Sequence, residues 1–220
     1  GLTEDRILRT GVPRTDFFYH DEEKLRVYRR LKNKFPNIAG KKVILYAPTY
    51  RNDQLDQFRL ELDIELFRQK LSEEYVLFIK LHPAVAGAVN IAADDPFVYD
   101  VSKRRIQGLM LLADILITDY SSIPFEFSLL EKPMIFFAYD MEEYKKDSGL
   151  IENYLEEMPG PVVSTSEELV AVIEKGNFDM ERVRQFKQEW NKYSKGSSSM
   201  QLARAILGQE ETKEKHVLMF

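Results

Sequence analysis

The stretch Ile115-Leu116-Ile117-Thr118-Asp119-Tyr120-Ser121-Ser122-Ile123-Pro124 decides the fold class. Three apolar residues run without interruption into a polar turn. Pro124 then falls in the first turn of a helix, where its missing N–H costs nothing. An apolar run with no polar alternation belongs to a strand buried on both faces, as in a parallel sheet covered by helices.

The same pattern recurs on either side. Lys42-Val43-Ile44-Leu45-Tyr46 reads as a buried strand that stops at Ala47-Pro48-Thr49-Tyr50-Arg51. Tyr75-Val76-Leu77-Phe78-Ile79 is another, ending at Lys80-Leu81-His82-Pro83. Phe97-Val98-Tyr99, Met134-Ile135-Phe136-Phe137 and Val162-Val163 add shorter strands, the last after the break Pro159-Gly160-Pro161. Helical spacing fills the gaps: Leu25, Tyr28, Leu31 and Phe35; then Ile106, Leu109, Met110 and Ala113; then Met180, Val183, Phe186 and Trp190. Asp63 is placed to cap a helix reaching about Leu71, and Thr165 with Glu168 has capping-box spacing for a helix from Ser166 to Lys175. Ser198 and Gln201 repeat that spacing before a last helix, and residues 7–11 read as a short strand. The expected fold is α/β, a doubly wound, Rossmann-like parallel sheet occupying residues 1–208, with a charged, frayed tail over 209–220.

Composition narrows the chemistry. The 220 residues include no cysteine, which excludes a disulfide framework, a zinc–thiolate site, an iron–sulfur cluster and a cysteine nucleophile. Three histidines argue against a His-rich metal site. A net charge of −5 without a dense basic run argues against a nucleic-acid partner. No apolar stretch reaches the roughly 18 residues that span a bilayer. The dinucleotide fingerprint GxGxxG, the P-loop, the GxSxG elbow and the HExxH motif are all missing from the sequence.

In doubly wound sheets, ligands bind beyond the carboxyl ends of the strands. Three such ends carry polar residues here: Thr49 and Arg51; Lys80 and His82; Asp119, Ser121 and Ser122. Two cations, an imidazole and several hydroxyls beside a helix start suit a phosphate or pyrophosphate. The same reading extends to Gly196-Ser197-Ser198-Ser199 before the last helix. Each residue also has a plainer reading: Ser121 and Ser122 as helix caps, Arg51 as a surface cation, His82 as a structural histidine. Convergence on one sheet edge favours the site.

The ordered motifs resemble a known family. The segment ending Ile44-Leu45-Tyr46-Ala47-Pro48-Thr49-Tyr50-Arg51, then Lys80-Leu81-His82-Pro83, then Asp114-Ile115-Leu116-Ile117-Thr118-Asp119-Tyr120-Ser121-Ser122 are similar to the CDP-glycerol glycerophosphotransferases, the wall teichoic acid primases and polymerases. Thr10-Gly11-Val12-Pro13-Arg14-Thr15-Asp16 and Pro159-Gly160-Pro161 match in the same order. The chain departs from the family pattern at Ser148-Gly149-Leu150-Ile151-Glu152, where many members carry Arg-Gly.

The resemblance implies the C-terminal, donor-binding half of a two-domain GT-B fold. The N-terminal acceptor domain would lie outside this chain and supply a further catalytic histidine. The implied reaction moves glycerol phosphate from CDP-glycerol to a lipid-linked polyol-phosphate or glycan acceptor. CDP-ribitol as donor, a nucleotide-sugar glycosyltransferase and a non-catalytic binding domain are the alternatives. Carried over by position, His82 is the implied catalytic residue, stabilising charge on the leaving CMP or the transferred phosphoryl group. Ser121 and Ser122 would donate to phosphate oxygens, and Thr49, Arg51 and Lys80 would help hold the donor. Asp119 would orient the loop or meet a ligand hydroxyl, and Glu126 would stand near the ribose or the transferred group. No metal or other cofactor is implied, and no nucleic acid. The implied location is the cytoplasmic side of the cell membrane, with at most peripheral contact.

Overall fold

The computed structural model describes residues 3, 7–51, 59–85, 87, 89–92 and 94–208. The expected tail at 209–220 lies outside them. Six strands, β1 (Lys42–Tyr46), β2 (Tyr75–Ile79), β3 (Val98–Asp100), β4 (Ile115–Thr118), β5 (Met134–Phe137) and β6 (Val162–Val163), form one sheet in the order β3-β2-β1-β4-β5-β6. Every neighbouring pair is parallel. The strand order reverses between β1 and β4, so a crevice opens there at the carboxyl edge. The register brings the central strands to that edge almost level: Tyr46 pairs with both Ile79 and Ile117.

Side chains alternate across the sheet and divide the core in two. Val43, Leu45, Phe78, Leu116 and Phe136 face one layer, with Leu31 of α1 (Asp21–Lys32), Leu109 of α3 (Ile106–Leu112), Phe127 of α4 (Ile123–Phe127) and Phe186 of α8 (Met180–Trp190). Ile44, Tyr46, Leu77, Ile79, Ile117 and Phe137 face the other, against Phe67 of α2 (Ile64–Leu71) and Leu169 of α7 (Ser166–Lys175). Each large side chain buried here contributes about 1.5–3 kcal/mol. This two-sided burial is why the strands read as continuous apolar runs.

Helix ends follow local chemistry where the sequence carries it. The Asp63 carboxylate accepts the Leu66 N–H at 2.9 Å, and Thr165 with Glu168 forms the expected reciprocal capping box. Two expectations fail. Residues 7–11 form no strand. They instead lie against the segment between α8 and α9 (Ser198–Ile206), where the Val12 N–H donates to Ser194 Oγ at 3.1 Å. Gly11 adopts a φ of +76°, and a Cβ there would stand 2.4 Å from the Tyr193 carbonyl oxygen, so only glycine fits. Leu25, placed on the apolar stripe of α1 by its spacing, is 48% exposed.

The start of α9 is also capped differently from expectation. Ser198 does not cap it. The buried carboxylate of Asp16 accepts the N–H groups of Ser198 at 2.9 Å and Ser199 at 2.8 Å. An internal anion therefore occupies the helix start that the sequence had offered to a ligand. Burial alone would raise the Asp16 pKa, but the two N–H donors outweigh it and hold the group below the usual carboxylate range. Stability from this contact is complete above the unfolded carboxylate pKa, near pH 4, and is lost as pH falls through the lower folded value. Asp16→Ala is expected to cost about 1–2 kcal/mol in urea unfolding at neutral pH. It should also flatten the acid limb of the stability curve. An unchanged midpoint would show that the cap is idle.

Candidate functional site

The crevice between β1 and β4 is held by one cation. Arg51, just past β1, donates through Nε to Asp140 Oδ2 at 2.7 Å. Its Nη2 donates to Asp140 Oδ1 and to Asp119 Oδ2, both at 3.0 Å, and Nη1 to the Thr49 carbonyl at 2.7 Å. Thr49 in turn donates its N–H and its hydroxyl to Asp119 Oδ1 at 2.8 and 2.6 Å. The guanidinium lies 5.1 Å from the Tyr120 ring centroid and 4.8 Å from that of Tyr144 on α5 (Met141–Ser148). Those two rings stack 3.9 Å apart, and the Tyr120 hydroxyl donates to Asp140 Oδ1 at 3.0 Å. One side chain thus ties together the loops after β1, β4 and β5.

Burial and charge oppose each other in this knot. Desolvation would lower the Arg51 pKa, but Asp140 and Asp119 overcome it and hold the cation firmly charged. Burial pushes Asp119 up, while Arg51 and Thr49 pull it back. The Arg51 side chain is only 8% exposed. Four of its five N–H donors are already used. Arg51 and Thr49, the expected holders of donor phosphate, are both engaged in an internal frame. Asp119 belongs to the same frame: Oδ1 accepts both Thr49 donors and Oδ2 accepts Arg51, which ties the loop after β4 to the loop after β1.

Ser121 and Ser122 sit where the sequence places them. The Thr118 hydroxyl donates to the Ala47 carbonyl at 2.7 Å and lies 3.0 Å from Ser121 Oγ. Ser121 Oγ accepts the Ile123 N–H at 3.2 Å. Ser122 occupies the N-cap position of α4, yet its exposed hydroxyl makes no capping bond. The plain capping role thus goes in part to Ser121 and not to Ser122.

His82 is exposed beyond β2. Its ring stacks on Tyr50, with centroids 5.0 Å apart and 27° between planes. The Ala84 N–H donates to His82 Nδ1 at 3.2 Å. With Nδ1 accepting, the neutral ring carries its proton on Nε2. Two residues earlier, the Lys80 ammonium donates to the Ser102 carbonyl at 2.7 Å and the Leu81 carbonyl at 3.3 Å. Burial lowers its pKa, with Asp100 opposing.

Glu126 is 4% exposed on α4 and pairs with Arg14. Burial raises its pKa and Arg14 pulls it down. The carboxylate is held inside the α4 layer by Arg14 on Oε1, while Oε2 is buried with no hydrogen-bond partner among the described residues.

A second feature was not anticipated. Beside Ser121, a pocket of about 370 Å³ is walled by Tyr120, Tyr144, Tyr154 and Leu150. Its outer wall, Gly149-Leu150-Ile151, is the stretch that departs from the family pattern. Spaced tyrosines on separate elements gave no sequence signal; only the fold brings them together. Among the described residues, no group of three or more His, Cys, Asp or Glu side chains stands ready for a metal ion.

Residues 1–208 match the family model described as CDP-Glycerol:Poly(glycerophosphate) glycerophosphotransferase. The teichoic acid glycerol-phosphate primase of Bacillus subtilis (strain 168) is 41% identical over 206 residues, 94% of this chain and 52% of that protein. A teichoic acid poly(ribitol-phosphate) polymerase of Bacillus spizizenii is 39% identical, over 84% of this chain and 31% of its own length. The solved wall teichoic acid polymerase TagF superposes with a TM-score of 0.81 at 30% identity, covering 94% of this chain and 52% of that one. A variant of TagF soaked with CDPG superposes with a TM-score of 0.79. The chain therefore spans about half the length of the primase and of the TagF structure, and less than a third of the ribitol-phosphate polymerase.

Breaking the frame is expected to be costly. Arg51→Ala leaves two carboxylates facing each other without their cation, and should lose about 3–5 kcal/mol in denaturant unfolding. Arg51→Lys should recover only part, because an ammonium cannot fork two carboxylates. A loss below about 1 kcal/mol would class Arg51 with exposed surface pairs instead.

Proposed function

The chain belongs to the CDP-glycerol:poly(glycerophosphate) glycerophosphotransferase family, and from that premise we propose that it is the half that binds the CDP-alditol donor. The observation that carries the reading is His82: exposed at a strand end, braced by Tyr50, with Nδ1 satisfied and Nε2–H left to donate. Oxygens of a pyrophosphate are the acceptors that such a donor suits. Ser121 and Ser122 add hydroxyls at the switch point, and Lys80 adds a positive charge with one N–H unspent. The tyrosine-walled pocket beside Ser121 has the size and the aromatic lining to take a nucleobase. CDPG soaked into the related TagF agrees with this reading.

In the proposed reaction an acceptor hydroxyl oxygen attacks the phosphorus of the glycerol-phosphate group. The bond from that phosphorus to the bridging oxygen breaks. CMP leaves with the bridging oxygen and its electron pair, and the hydroxyl proton passes to a base outside this chain. His82 Nε2–H would stabilise the charge gathering on the leaving phosphate. This is phosphoryl transfer by positioning and electrostatics, and it calls on no cofactor from these residues. The lipid-linked acceptor, the second catalytic domain and a peripheral position at the inner membrane face belong to the same proposal. Among the described residues no helix is long and apolar enough to cross a membrane.

Two measurements test the reading. In a thermal-shift panel of CDP-glycerol, CDP-ribitol, UDP-linked and GDP-linked donors, a cytidine donor should stabilise the chain most. At a hundredfold excess over Kd the gain is about 2.7 kcal/mol. The larger shift of the two CDP donors identifies the alditol. In the two-domain enzyme, His82→Ala should lower turnover at least tenfold with the fold intact. A preference for UDP or GDP donors, or undiminished turnover, would remove the proposal.

A further inference from the structure

A sizeable cavity lies away from the strand-end site. It measures about 790 Å³ and opens between α1 and the start of α3, beside the β3 edge of the sheet. Arg14, Arg26, Arg30, Lys103, Arg104 and Arg105 surround it, with Glu23 as its single carboxylate. Six cations around one cavity are unexpected in a chain of net charge −5.

The backbone explains how they gather. Gly108 on α3 lets the two helices touch: a Cβ there would stand 2.7 Å from Leu31 Cδ1 and 3.1 Å from Val27 Cγ1. Arg26 and Arg30 are one turn apart on α1. The loop into α3 delivers Lys103, Arg104 and Arg105 to the opposite wall. Phe17, Val27 and Leu31 give the cavity an apolar floor.

These charges are poorly compensated. Three arginines elsewhere have close carboxylate partners: Arg51 with Asp119 and Asp140, Arg68 with Asp95, Arg184 with Glu181. Around this cavity, Arg14 is taken by Glu126, Arg104 lies over the Phe35 ring, and Arg26 is 3.8 Å from Glu23. Arg30, Lys103 and Arg105 are exposed and have no ion pair among the described residues. Like charges one helical turn apart destabilise a helix. A cluster with no internal purpose for its charge is suited to an external anion.

The geometry points to a second binding site, for a phosphodiester chain. Five of the six cations are arginines, whose planar forks match phosphate oxygens in pairs. Cations on two opposite walls suit successive phosphates of a chain better than one small anion. The apolar floor suits the carbon units between them. The lining shares no residue with the His82, Ser121 and Ser122 ends, so the site is separate from that of the donor. It rests on the donor reading in one respect: the chain bound is the polyol-phosphate part of acceptor or product.

The test is equilibrium binding of a short synthetic poly(glycerol phosphate) chain to the full-length polypeptide. Wild type should bind it with a steep inverse dependence on salt, as released counterions require. Arg30→Ala with Lys103→Ala and Arg105→Ala should weaken binding at least tenfold and flatten the salt slope. The single variant Arg105→Gln should give a smaller loss in the same direction. CDP-glycerol thermal shift should stay unchanged in all of them. Equal binding by the triple variant would overturn the site. Tighter binding to phosphatidylglycerol vesicles or to single-stranded DNA than to the glycerol-phosphate chain would overturn the ligand. Loss of CDP-glycerol binding in wild type, with the chain still bound, would sink the donor reading and leave this site standing.

Discussion

The buried contact of Arg51 with Asp119 and Asp140 is the constraint on which the site depends. A parallel sheet leaves its loops at one edge with no ladder to hold them. Here one guanidinium joins the loops after β1, β4 and β5, and the Tyr120 and Tyr144 rings flank it. Burying three charges is costly unless geometry is good and every lone pair is met. Thr49 meets the remaining Asp119 acceptor, and the Tyr120 hydroxyl reaches Asp140. The result is a rigid floor at the switch point. The residues proposed to meet the donor, His82, Ser121 and Ser122, sit on that floor instead of forming it.

The division of labour follows from burial. Groups inside the edge have spent their donors on one another, Ser121 included, since its hydroxyl donates to Thr118 Oγ1; His82 Nε2–H and the exposed Ser122 hydroxyl have not. Tyr50 links the two sets, because it lies between Thr49 and Arg51 in sequence and stacks on His82 in space. Orientation of the imidazole is therefore coupled to the same frame that fixes the serine turn through Thr118 and Ala47.

The strands and the site edge were legible because their signals are local. Continuous apolar runs identified the sheet, and its switch-point rule named the strand ends. What stayed hidden depends on contacts between distant positions. Asp119 and Arg51 are 68 residues apart, and Asp16 caps a helix start 182 residues away. A sequence window shows an arginine after a strand but not the carboxylates that consume it, so Arg51 and Thr49 looked available for phosphate. Glu126 looked available for the same reason, until Arg14 and burial claimed it. Residues 7–11 resembled a strand because of Ile7 and Leu8, yet both are exposed, and the stretch meets the α8–α9 segment through Arg9 and the Gly11 backbone instead. The cationic cavity was invisible because its charges come from three separate stretches, none of them dense.

The central claim is that a fixed imidazole and the serine turn face the cytidine donor together. Nitrogen-15 NMR of the His82 ring, during titration with CDP-glycerol, tests it most directly. The account predicts the Nε2–H tautomer in the free protein, then perturbation of His82, Ser121 and Ser122 with Arg30 and Arg105 undisturbed. An Nδ1–H tautomer, or perturbations that bypass His82 and the serine turn, would contradict it.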